Sequence, residues 1–167
     1  MGPVSATVAI DAPRERVFEV IADLANRPSF LGEFAEEFRL ARLDSTGVGA
    51  AARFRFADGG PWIGTSIDEL DPPYRLCERG RTGRLDRIPA FTVWELVEDG
   101  GGCELTVSYW TQPARPADCL GDLLPGAERR LRKGWRGALR RLKELVESER
   151  PLQRLSVAGG DRIPGAG

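Results

Sequence analysis

The chain contains no histidine. That removes the commonest general base and the commonest metal ligand. A Ser-His-Asp triad, a Cys-His pair and a HExxH zinc site are all excluded within these 167 residues. Cysteine is scarce: Cys77, Cys103 and Cys119 are odd in number, widely spaced and form no CxxC. This argues against a disulfide framework or a zinc site and for a reducing compartment. Neither sign of charge dominates, with 24 Lys and Arg against 25 Asp and Glu, so no overall field draws the chain to nucleic acid or to a membrane. No apolar run is long enough to span a bilayer. The opening "MGPVSATVAI" has neither a charged n-region nor an apolar h-region. No secretory signal is expected, and the expected location is the cytoplasm.

What is present fits one globular domain. Apolar residues make up 41% of the chain and charged residues 29%, enough of the former for a sizeable core at this length. "VSATVAI" alternates, with Val4, Ala6, Val8 and Ile10 on one face, and predicts a half-buried strand. Helical spacing follows in Val17, Phe18, Ile21 and Leu24, with Asp11 as the expected N-cap and Pro13 in the first turn. Asn26-Arg27-Pro28 breaks that helix, and "SFLGEF" predicts a second short one ending near Gly32.

From there to about residue 111 the pattern is of strands and turns. "EFRLARLD", "AARFRF", "WIGTSIDEL", "YRLCERG", "FTVWELVE" and "CELTVSYW" are the predicted strands, with "ADGG" and "DGGG" as hairpin signals. Gly47-Val48-Gly49 is taken as a turn, because no GxxxxGK accompanies it. No repeat runs at a 20–50-residue period. A Pro-rich connection then leads to a long helix from about Ala127 to Glu149. Residues 1–149 are expected to form the domain and residues 150–167, rich in Gly and Pro, a flexible tail. One strand, two helices, six strands joined by hairpin-length turns and one long helix make an α+β arrangement with an antiparallel sheet. Only the last helix, about 23 residues and about 35 Å long, is long enough to cover a wide curved sheet.

This order resembles the START/Bet v 1-like (SRPBCC) superfamily and, within it, the polyketide cyclase/dehydrase branch. "IDAPRERVFEVIADL" resembles the family's strand-to-helix opening, "IDELDPPYRL" its strand–Pro turn–strand, "FTVWELVEDGGGCELTV" its late hairpin and "LRRLKELVE" its terminal helix. The resemblance covers roughly residues 4–149. It departs where the family often carries a Trp near the start of the second helix; here "NRPSFLGEF" offers Phe30 and Phe34, which lack the indole N–H donor. The resemblance implies a helix-grip fold: a seven-stranded curved antiparallel sheet around a long C-terminal helix, with two short helices between strands 1 and 2. It also implies an elongated, mostly apolar cavity between sheet and helix. Members bind lipids, sterols or polyketides, some as cyclases or aromatases and some as carriers or sensors.

Alternation selects the inward side chains. Phe54 and Phe56 oppose Arg53 and Arg55; Ile63, Thr65 and Ile67 share a face, as do Thr92, Trp94 and Leu96, and Leu105, Val107 and Tyr109. At 100° per residue, Leu124, Ala127, Leu131, Trp135, Ala138, Leu142 and Leu145 form one stripe of the long helix. Arg129, Arg132, Lys133, Arg136, Arg140 and Lys143 gather opposite, as a solvated face or, less favoured, a docking surface for an anionic partner. No nucleic-acid motif accompanies them. The expected ligand-binding residues are therefore Phe54, Phe56, Ile67, Trp94, Val107, Tyr109, Leu131, Gly134, Trp135 and Ala138; taken singly, each reads first as plain core, and only collectively as a cavity wall. Gly134 is expected to leave room beside Trp135 for a ligand or for the sheet's large aromatic side chains; with a ligand there, Gly134→Leu would weaken ligand binding more than stability.

Two residues are candidates for chemistry. Glu78 shares parity with the inward Leu76. Either it faces an apolar cavity and can act as an acid or base, or, as favoured here, the strand twists at its end and the carboxylate reaches water or an arginine. Tyr109 could donate to a carbonyl or enolate, or carry its hydroxyl to the surface. No cofactor and no metal are expected. The sequence thus leaves three readings open: a protein that binds a hydrophobic small molecule, lipid or polyketide-like; a cyclase, aromatase or dehydratase working in the same cavity; and an interaction protein using the basic helix face.

Overall fold

The computed structural model describes residues 2–57, 59–114, 126–148, 151, 152, 154 and 155, with only the backbone of residue 84. The elements are β1 (Val4–Ile10), α1 (Arg14–Ala22), α2 (Arg27–Leu31), β2 (Ala35–Leu40), β3 (Ala51–Phe56), β4 (Trp62–Asp71), β5 (Arg75–Thr82), β6 (Ile88–Asp99), β7 (Gly102–Thr111) and α3 (Ala127–Glu147). The strands form one antiparallel sheet in the order β1-β7-β6-β5-β4-β3-β2. β1 crosses over to pair with β7, Val4 opposite Tyr109 and Ile10 opposite Cys103. α1 and α2 fill the crossover between the two edge strands, and α3 packs on β1 and α2. This is the helix-grip α+β fold.

Alternation is obeyed along β3, β4, β6 and β7. Phe54, Phe56, Ile63, Thr65, Ile67, Thr92, Trp94, Leu96, Leu105, Val107 and Tyr109 are all buried. Each strand presents one face to the helices and the other outward, as period 2 dictates.

Three boundaries differ from the sequence reading. The N-cap of α1 is Pro13, not Asp11, and it makes no side-chain cap. Asp11 instead donates its N–H to Glu147 Oε1 at 2.7 Å, tying the end of β1 to the end of α3. β2 begins at Ala35 and stops at Leu40, earlier than the predicted "EFRLARLD". After one more ladder bond, from Ala41 to Ala51, the chain leaves the sheet, and Ser45 accepts the N–H of Leu24. Within β2 the register shifts between Glu36 and Arg39. Glu37 takes a positive φ of 54° there. Such a bulge turns the next side chain to the other face, and Phe38 stacks on Phe54, with ring centroids 5.4 Å apart.

The buried face of α3 is Trp135, Ala138, Leu139, Leu142 and Val146. Leu131 and Leu145 are only partly buried, so the face is rotated from the predicted stripe toward Leu139 and Val146. Leu124 lies outside the described residues. So does most of segment 150–167; of the described part, Arg154 pairs with Asp23 and the N–H of Leu155 donates to Ala25.

Candidate functional site

The interior between sheet and α3 is lined with aromatic rings. Phe34 lies 4.8 Å from Phe56 and 5.0 Å from Trp135, centroid to centroid. Phe56 meets Tyr109 edge-on at 5.8 Å, and Trp94 meets Trp135 edge-on at 5.6 Å. Edge-to-face and offset contacts of this kind are the favoured aromatic geometries.

A polar cluster sits inside this apolar wall. Glu78 lies within β5, four residues before its end, and is 5% exposed. Arg27, at the first position of α2, is 3% exposed. Its Nη2 donates to Glu78 Oε1 at 2.7 Å. Trp94 Nε1 donates to the same oxygen at 2.8 Å, and Thr65 Oγ1 donates to Glu78 Oε2 at 3.0 Å. The parity of Glu78 with Leu76 therefore decides its direction. The favoured alternative is corrected in one half, because no strand end carries the side chain to water, and met in the other, because its partner is an arginine.

Arg27 is the residue that sequence reasoning missed. "NRP" reads as a helix break, and a break is ordinarily at the surface. Here the break turns the chain inward. The last carbonyls of a helix lack intrahelical donors, and Arg27 serves one of them: Nε and Nη2 reach Ile21 O at 3.1 and 2.8 Å. The guanidinium also lies 4.5 Å from the centroid of the Trp94 ring. A planar fork with several fixed donors can do these things at once; a lysine ammonium cannot. The available signal was a single arginine flanked by Leu24 and Ala25 on one side and Phe30 and Leu31 on the other, all of them buried.

The cluster borders a cavity of ≈ 10 Å³, lined by Arg27, Thr65, Glu78, Thr92, Tyr109 and Trp135 among polar-tipped residues and by Leu24, Leu31, Phe38, Phe54 and Ile63 among apolar ones. That volume is about enough for one water. Of the expected ligand-binding residues, Phe54, Tyr109 and Trp135 line it. Phe56, Ile67, Trp94, Val107 and Ala138 are buried around it, while Leu131 is half-buried. Gly134 does not leave room for a ligand. A Cβ there would lie 2.1 Å from Phe34 Cδ2, so the missing side chain is the space the Phe34 ring occupies.

Among the described residues, no three His, Cys, Asp or Glu side chains converge to hold a metal. Desolvation, the main cause, pushes the thiols of Cys77 and Cys103 up, which keeps both protonated near neutral pH and poor as nucleophiles. On the outer face of α3, Arg129, Lys133, Arg136 and Arg140 are exposed, whereas Arg132 pairs with Glu128 and Lys143 with Glu147. No helix among the described residues is long and apolar enough to cross a membrane.

The family model described as polyketide cyclase / dehydrase and lipid transport matches residues 1–147. No curated protein matches the chain. Among solved structures, protein CV1439 from Chromobacterium violaceum is 24% identical, with 88% of this chain and 99% of that one covered at a TM-score of 0.65. TTHA0849 from Thermus thermophilus is 20% identical, with 88% and 98% covered at 0.68. DynU16, a protein of the dynemicin biosynthetic locus, is 22% identical, with 93% of this chain but 50% of that one covered at 0.61. At these identities the likeness is one of fold.

Proposed function

Because this chain belongs to the polyketide cyclase/dehydrase and lipid transport family of the START/Bet v 1-like superfamily, we propose that it binds one hydrophobic small molecule, lipid or polyketide-like, between the sheet and α3. The family supports a hydrophobic-ligand or cyclase role in general. The observation that carries the binding reading is the buried Arg27–Glu78 pair on the wall of an aromatic cavity. Stability alone gives little reason for it, since apolar residues of similar volume commonly serve a core as well as a buried ion pair does. A mostly apolar surface with a few fixed polar groups is, by contrast, what a small-molecule site requires.

A ligand larger than water has to displace side chains. Phe38 is the one best placed to move: half-buried, on the edge strand β2, and turned inward only by the bulge at Glu37. Phe38→Ala should cost roughly 2 kcal/mol, less than the ~3–5 kcal/mol of a fully buried Phe. It should also enlarge the cavity, so that lipid and polyaromatic compounds raise its melting temperature more than they raise the parent's. Thermal shift of both proteins with the same compounds checks this. No shift in either protein with any compound contradicts the binding reading.

A second reading, a cyclase, aromatase or dehydratase in the same cavity, is favoured by the presence of Tyr109 on its wall. Both oxygens of Glu78 are taken by fixed donors, which suits it to hold Arg27 and Trp94 in place more than to take a proton from a substrate. Tyr109 would then be the group facing a carbonyl or enolate. The free thiols of Cys77 and Cys103 support a reducing compartment, the cytoplasm, as the place of action.

A further inference from the structure

Trp94 and Trp135 stand edge to face in the same interior, yet their indole N–H groups differ. That of Trp94 is matched to Glu78 at 2.8 Å. That of Trp135 is buried and has no acceptor among the described residues. Trp135 is 3% exposed and lines the cavity. Buried donors are paired in the great majority of cases, and each exception calls for a cause. A buried N–H on a residue that lines a cavity is a donor in want of an acceptor that the described residues do not supply.

The chemistry of that acceptor can be narrowed. An indole N–H donates only, so its partner must carry an accepting atom. The charged groups on the cavity wall, Arg27 and Glu78, neutralise one another at 2.7 Å. An ionised ligand would therefore meet no uncompensated charge to offset its desolvation. The surrounding walls are the rings of Phe38, Phe54, Tyr109 and Trp135, which favour a flat apolar body. We propose that Trp135 Nε1–H is the specificity-determining donor for the carbonyl oxygen of a neutral, ring-containing ketone. This rests on the binding reading above and goes beyond it, since a plain hydrocarbon of the same shape would leave the donor unmet.

The test uses a matched pair, 1-tetralone and tetralin, which differ by the carbonyl. Both are titrated into the full chain and into Trp135→Phe, which keeps an aromatic ring and loses the N–H. The expected result is a loss of tetralone binding in the variant about tenfold greater than any loss of tetralin binding. In the parent, the Trp135 indole proton should move downfield in ¹H–¹⁵N spectra with tetralone and stay in place with tetralin. That second readout decides the matter if the variant fails to fold. Equal losses for both compounds, undiminished tetralone binding in a folded variant, or an indole proton that ignores tetralone overturns the assignment while leaving binding intact. Tetralin binding without tetralone binding overturns the assignment alone, and failure of both compounds to bind the parent overturns the binding reading and the assignment together.

Discussion

Glu78→Ala is expected to destabilise the fold by about 3–5 kcal/mol, because it leaves the Arg27 guanidinium charged, buried and uncompensated. Arg27 is held by α2 and by its bonds to Ile21 O, so it cannot swing out to water without breaking the join between α1 and α2. The same substitution strips the acceptor from Trp94 Nε1 and from Thr65 Oγ1. The test of cause is the double replacement, Arg27→Met with Glu78→Leu. No charge then remains to be buried, although Trp94 and Thr65 still lack an acceptor. The double variant should be more stable than Glu78→Ala by about 2 kcal/mol, because no unpaired charge is left buried and the added apolar side chains fill the site. Urea unfolding of parent, Glu78→Ala and the double variant measures it. A double variant less stable than Glu78→Ala would mean that the pair's packing, not its charge balance, holds this region.

The second large effect separates two glycines of one helix. Gly134 and Gly137 each lie inside α3, where Ala is favoured over Gly by about 1 kcal/mol in propensity. At Gly137 nothing lies within 4 Å of an added Cβ, so Gly137→Ala should gain up to about 1 kcal/mol. At Gly134 the added Cβ runs into the Phe34 ring. That ring is clamped between Phe56 and Trp135, and overpacking of this kind costs about 1–3 kcal/mol. The clash outweighs the propensity gain, and Gly134→Ala should lose stability on balance. Thermal or urea unfolding of the two variants should show opposite signs. Stabilisation by both would show that Phe34 yields freely and that the interior is loosely packed on that side.

These glycines also show what the sequence could and could not disclose. Strand faces were legible because alternation is local: Arg53 and Arg55 against Phe54 and Phe56 need no knowledge of partners. The same parity pointed Glu78 inward, but the reading favoured over it sent the carboxylate out at a twisted strand end to water or an arginine, because a carboxylate ordinarily stays solvated. What parity cannot see is a bulge. Glu37 is a non-glycine residue with positive φ, and nothing in "AEEFRL" marks where the register slips to bring Phe38 inward. Nor can periodicity on one helix name what packs against it. Gly134 read as room for either a ligand or a sheet aromatic because its occupant, Phe34, comes from the turn after α2, about a hundred residues earlier in the chain. Arg27 was hidden for a related reason: its partners at residues 21 and 78 exist only once the sheet has closed over the short helices.

The central claim, that a hydrophobic molecule occupies the space between sheet and α3, is tested most directly by native mass spectrometry of the folded protein. The protein is incubated with an equimolar mixture of lipids, polyaromatic hydrocarbons and polyketide-like ketones. The account predicts a saturable one-to-one complex, lost when the fold is denatured. Only the bare protein mass, or adducts that multiply with concentration without saturating, would contradict it.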